Sequence, residues 1–271
     1  RKEADLKPFS RNSCMAAERI RFNVVCSVSF MNSPPFITLL HDTANQGVCQ
    51  YPYQNFQQFF NGAIRFIHQW EKPVSAVLDI IGEVDVTIMG ASLGGMLAPR
   101  AAAFDRRIKR IVGWSVFPNF LDVALHGQIP MNMWGPLRFL LRHNLRGPVN
   151  AILKKKMAAD ETVDWAVRHG MYAYDAPDPF GYVKKLNNYK MTDIGPMLTQ
   201  DMLILGVAQD HFIPRELYAQ EISALSNVKS LTFRLMTAKE DAGGHCNVGN
   251  PKLVLDTVID WLETLRKRDA R

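Results

Sequence analysis

Short apolar runs alternate along the chain with longer stretches of helical periodicity, a rhythm that predicts an α/β protein. Phe22 to Phe30, Phe36 to Leu40, Val84 to Met89, Ile108 to Trp114, Met202 to Ala208 and Ser230 to Met236 have the length and residue types of strands. Tyr53 to Ile81 reads as mainly helical, with Trp70-Glu-Lys-Pro73 marking a break or a new first turn. Leu93 to about Ala103 and Pro251 to about Arg266 read as further helices. From about Phe117 to Asp201 the rhythm changes, and no strand is predicted. Apolar residues there fall at helical spacing (Met131, Trp134, Leu137, Leu140 and Leu141, then Ala151 to Ala159, then Val163 to Tyr174), punctuated by seven prolines from Pro118 to Pro196. The expected organisation is a core part at 1–116, an inserted helical cap at 117–201 and a second core part at 202–271. Met and aromatic residues of the cap either line an apolar pocket or pack cap on core.

The run Val84 to Met89 leads straight into Gly90-Ala-Ser92-Leu-Gly94-Gly95, which reads as a nucleophile elbow. A serine on a tight strand-to-helix turn has strained backbone angles, so the residues two before and two after it must be small. The turn lifts the hydroxyl of Ser92 toward substrate, and the following helix aims the Leu93 N–H at the same spot as an oxyanion donor. A dinucleotide-binding turn is the rival reading. That motif opens the first βα unit and has an acidic residue ending the next strand, whereas this one lies mid-chain and the next strand ends in Trp114-Ser115.

A serine nucleophile needs a base, and the base an orienting acid, in the chain order Ser, Asp or Glu, His. Asp210 lies just past the apolar run ending at Ala208, and His245 sits in the glycine-rich loop after the run ending at Met236. Thirty-five residues separate them, room for one helix and one strand. Each has a plainer alternative: Asp210 as the cap of a helix starting near Pro214, His245 as an ordinary loop histidine. His211 is the rival base, but adjacent residues at a strand end point apart. Asp241, in the histidine's own loop, is the rival acid. The constellation predicts Ser92 as nucleophile, Asp210 as acid and His245 as base.

Composition narrows the classes. With 271 residues and 47 % hydrophobic content, the chain can form one large α/β domain. Its net charge of +6 is scattered over Arg100, Arg106, Arg107, Lys109 and Arg110, Lys154 to Lys156 and Arg266 to Arg268, with no aromatic-interleaved basic groove, so no nucleic-acid partner is expected. Cys14, Cys26, Cys49 and Cys246 have no close C-x-x-C pairing, which argues against a zinc site or a disulfide framework and fits a reducing, cytoplasmic setting. No run approaches the roughly 18 apolar residues that span a bilayer, Arg1 to Lys7 lacks the apolar core of a signal peptide, and no membrane partner is expected. A first residue other than Met is what a fragment or a processed chain has. The expected partner is a small-molecule substrate, with no cofactor and no metal; a homodimer stays open.

Several segments carry a family resemblance: Trp70 to Asp79, Gly90 to Ile108, Gly206 to Pro214 and Gly244 to Asn250. From about residue 40 to the C-terminus, the chain resembles the capped α/β-hydrolases that include dihydroxypseudooxynicotine hydrolase and the fungal hydrolases that shorten polyketide chains in pigment pathways. The resemblance implies an α/β-hydrolase fold: a mostly parallel central sheet, helices on both faces and an inserted helical cap. It also implies hydrolysis of an ester, or of a carbon–carbon bond next to a carbonyl, by Ser92, Asp210 and His245. Two departures stand out. Where the family has Asp-Gly-Pro-Gly-Gln-Gly, this chain keeps Asp42, Gln46 and Gly47 but lacks the central Gly-Pro-Gly. The family's glycine-rich turn before the first helix, source of the second oxyanion donor, has no match in residues 1–35; the loop around Asn12 and Ser13 is the nearest substitute. The competing expectation is therefore a non-catalytic or weakly active small-molecule-binding protein on a hydrolase scaffold with an incomplete oxyanion hole.

Overall fold

Side chains alternate across a strand, and that alternation sorts the core into two layers. The computed structural model describes the backbone of 23–29 and 36–40, together with residues 66–82, 85–126, 128–129 and 131–271. Its strands are β1 (Asn23–Ser29), β2 (Phe36–Leu40), β3 (Val86–Ser92), β4 (Ile108–Trp114), β5 (Asp201–Val207) and β6 (Ser230–Met236). They form one sheet in the order β2-β1-β3-β4-β5-β6, in which β1 and β2 are antiparallel and every other pair is parallel.

Ile88, Ile111, Met202 and Ile204 face one layer, formed with helices α1 (Glu71–Ile81) and α2 (Leu93–Phe104). Their neighbours Met89, Val112, Leu203 and Leu205 face the other, where helix α9 (Pro251–Asp269) contributes Val254, Val258, Trp261, Leu262 and Leu265. Strands buried on both faces read as continuous apolar runs, as β3 and β5 do.

Between β4 and β5 lie α3 (Phe120–Leu125), α4 (Trp134–Arg142), α5 (Arg146–Ala159), α6 (Glu161–Ala173) and α7 (Pro179–Leu186). No strand occurs among the described residues of this segment, only an isolated bridge between Asn119 and Lys190. The helix starts have chemical causes: the side chains of Asn119, Asp160 and Asp178 accept backbone N–H groups at the first turns of α3, α6 and α7. The remaining helix, α8 (Leu217–Ala224), joins β5 to β6. Because β3 to β6 are parallel, their C-terminal ends share one edge, from which Ser92, Asp210 and His245 emerge. Among the described residues no helix is long and apolar enough to cross a membrane.

Candidate active site

At the end of β3 the chain turns into α2 within one residue. Ser92 adopts φ 55° and ψ −121°, a conformation that costs an L-residue free energy of order 1–3 kcal/mol. The turn is tight enough that a Cβ on Gly90 would fall 1.9 Å from the Gly94 carbonyl oxygen, so glycine is obligatory there. The same turn leaves the Leu93 N–H in the first turn of α2, without an intrahelical acceptor.

Asp210 follows β5. Its Oδ1 accepts the backbone N–H groups of Phe212 (2.8 Å) and Ile213 (3.1 Å), which fixes the carboxylate and turns Oδ2 toward His245. His245 Nδ1 lies 2.7 Å from that oxygen, and its Nε2 lies 3.0 Å from Ser92 Oγ. Three residues from three separate segments of the chain thus form one hydrogen-bonded line. The helix-cap alternative for Asp210 fails because α8 starts at Leu217; the carboxylate closes a turn instead. Asp241 is exposed in its own loop, and the ring of His211 packs edge-on at 5.9 Å from that of His245, with Asp210 bonded to His245.

Electrostatics follow from burial and pairing. The Asp210 side chain is fully buried, which by itself would raise its pKa, but the His245 hydrogen bond and the two turn N–H groups bring it below the usual carboxylate value. Burial alone would lower the imidazole. The Asp210 hydrogen bond and the neighbouring Cys246 thiol outweigh it and push His245 up to about 9.

Ser92, Leu93 and His245 open onto a narrow cavity of ≈ 70 Å³, room for several water molecules. Phe117 and Phe120 line one side, Phe212 another, and Trp165 with Tyr174 close it from the inserted helices. Burial raises the phenols of Tyr174 and Tyr182, the latter to about 12, so neither adds charge to this apolar wall. Among the described residues no group of three or more His, Cys, Asp or Glu side chains could hold a metal ion.

The structure brings the expected Ser92, Asp210 and His245 together and starts α2 at Leu93, but the sequence reading missed what holds the histidine loop. Asn247, fully buried, accepts from Trp114 Nε1 at 2.7 Å, and Ser115 Oγ accepts from the Cys246 N–H at 3.2 Å. The only signal was the Trp-Ser that ends β4. Asn12, Ser13, Cys14, Asp42, Gln46, Gly47 and Cys49 lie outside the described residues. Register nonetheless bears on the second donor: β1 runs parallel to β3 with Ser29 opposite Ser92, so the C-terminal end of β1, not its N-terminal end, adjoins the elbow.

Known proteins share parts of this pattern. No model of a known protein family matches the chain. It is 24 % identical over 241 residues to "Hydrolase acrC" of Aspergillus aculeatus, covering 84 % of this chain and 53 % of that protein. To "Hydrolase LUC6" of Fusarium sp it is 26 % identical over 208 residues, covering 72 % of this chain and 49 % of that one. The chain spans about half the length of the curated relatives it matches. Among solved structures, 2,6-dihydroxy-pseudo-oxynicotine hydrolase superposes with a TM-score of 0.53 at 17 % identity, over 90 % of this chain and 60 % of that one. VinJ superposes with a TM-score of 0.52 at 14 % identity, over 92 % of both chains.

Proposed function

We propose that this chain, an α/β-hydrolase by fold, is a serine hydrolase in which Ser92 is the nucleophile, His245 the general base and Asp210 the orienting acid. The observation that carries the reading is the line Ser92 Oγ, His245 Nε2, His245 Nδ1, Asp210 Oδ2, with separations of 3.0 and 2.7 Å and the serine at positive φ. Both curated relatives are named hydrolases, which supports the reaction class. In this mechanism neutral His245 accepts the Ser92 proton as the hydroxyl attacks a carbonyl, and Asp210 stabilises the imidazolium. The Leu93 N–H steadies the oxyanion. An acyl-enzyme forms, His245 protonates the leaving group, and water releases the acid.

The cavity wall of Phe117, Phe120, Phe212 and Trp165 suits a small apolar or aromatic substrate. The scissile bond is an ester or a carbon–carbon bond next to a carbonyl; in the second case the departing carbanion needs an electron-withdrawing carbonyl beyond the broken bond. A polyketide-like substrate fits that demand. The helices between β4 and β5 act in this reading as a cap, since α6 supplies Trp165 to the cavity. A fluorophosphonate probe tests the reading. Labelling that disappears in Ser92→Ala supports it, and an unlabelled wild-type protein leaves a non-catalytic binding protein on the same scaffold. Short p-nitrophenyl esters compared with β-diketones and acyl-aromatic compounds then separate ester from carbon–carbon cleavage.

A further inference from the structure

The loop that carries His245 is held in a conformation its residues do not favour. Cys246 and Asn247, directly after the histidine, both have φ 50°, and Ser115 at the end of β4 has φ 54°. Consecutive non-glycine residues at positive φ persist only where their surroundings over-determine them.

Those surroundings come from one place. The Trp114 indole N–H donates to Asn247 Oδ1 at 2.7 Å, and Asn247 Nδ2 donates back into the loop, to the Ala242 carbonyl. One residue along, Ser115 Oγ accepts the Cys246 N–H at 3.2 Å, while the Ser115 N–H is tied to the Leu205 carbonyl of β5 at 2.9 Å. Ser115 and Asn247 are fully buried, and the contacts bridge 131 and 133 residues of sequence. The same strand end also sets the other half of the site. A Cβ on Gly95, in the first turn of α2, would fall 2.9 Å from the Trp114 carbonyl oxygen, so the elbow helix sits as close to β4 as a bare backbone allows.

We propose that Trp114 and Ser115 are positioning residues that fix the Ser92–His245 separation. They grip the histidine loop through Asn247 and Cys246, and the elbow helix through its contact at Gly95. They touch no substrate and act through His245. This rests on the serine-hydrolase reading, under which a displacement of about 1 Å between base and nucleophile costs up to about 100-fold in rate.

The test is the fluorophosphonate labelling rate of wild type, Trp114→Phe, Ser115→Ala and the double variant, with thermal unfolding as the check on folding. Trp114→Phe keeps an aromatic ring and removes the donor, together with part of the indole's volume. Ser115→Gly, suited to φ 54°, replaces the alanine variant if that one does not fold. Each single change is expected to slow the covalent step about tenfold with probe affinity unchanged. The low-field proton resonance of the His245 Nδ1–H should weaken or exchange faster. Because both grips act on one loop, the double variant should fall short of the product of the singles. Labelling rates within about twofold of wild type in folded variants, or a loss confined to affinity, overturn the proposal while leaving the serine mechanism standing. An unlabelled wild-type protein overturns both.

Discussion

At the scale of single residues, the hydroxyl of Ser92 is 3.0 Å from an imidazole nitrogen whose ring partner is committed to a buried carboxylate. Replacing Ser92 with alanine removes one small group and relieves no packing, so the fold should persist while kcat falls on the order of 10⁴- to 10⁶-fold; retained turnover in a folded variant would refute the serine mechanism. Asp210→Asn should cost roughly 10³- to 10⁴-fold by leaving the wrong imidazole tautomer, and Asp241→Asn far less; steady-state kinetics of the two variants decide between the acids. The pH profile follows from the same pair. His245 stays protonated to about pH 9, and the base is its neutral form, so kcat/KM should climb about tenfold per pH unit from neutrality toward 9 and then level off. Without the Asp210 carboxylate, the rise should move to lower pH.

Elements differ in how plainly the chain announces them. The strand runs ending at Trp114 and Met236 were legible to the residue, because β4 carries the apolar Ile108, Ile111, Val112 and Trp114, β6 alternates Leu231, Phe233 and Leu235 with polar residues, and polar turns cut both off. Ser92, Asp210 and His245 were legible as candidates because Ser92 ends β3 and the other two sit in the loops that follow β5 and β6. The helices α3 and α7, of 6 and 8 residues, are too short for a period to emerge, and only their caps, Asn119 and Asp178-Pro179, betray them. The grip of Trp114 on Asn247 spans 133 residues and leaves no local trace at all. Helix α9 offers a test away from the site. Trp261 is 7 % exposed within its layer of the core, with its indole nitrogen unpartnered. Trp261→Ala should cost about 3–5 kcal/mol in denaturant titration, whereas Trp261→Phe, which removes the unsatisfied donor, should cost far less, and the surviving folded fraction should keep its kcat.

For the molecule as a whole, one buried and one half-buried group each pull stability down as pH rises. Glu221 on α8 is fully buried, neither carboxyl oxygen has a partner, and burial pushes it up to about 8 from 4.5. Unfolding releases its proton between those values, so stability should decline by about 1.4 kcal/mol per pH unit across that window and level off above it. His245, raised from 6.5 to about 9, adds a decline of the same sign over its own window. Urea midpoints measured from pH 5 to 9 should therefore fall, and Glu221→Gln should flatten the slope and leave the protein more stable at pH 8. Activity and stability consequently move in opposite directions as the solution becomes alkaline. The backbone sharpens that opposition. Ser92, Ser115, Cys246 and Asn247 all have positive φ around one hydroxyl and one imidazole, at a cost of roughly 1 kcal/mol or more apiece against a net stability of only about 5–15. Glycine at 115 would relieve its strain but strip the acceptor from the buried Cys246 N–H, whereas glycine at 246 would relieve the cost and loosen the loop in the same step. Directed evolution toward heat tolerance should therefore accept glycine at 246, and its most durable survivors should be its slowest catalysts.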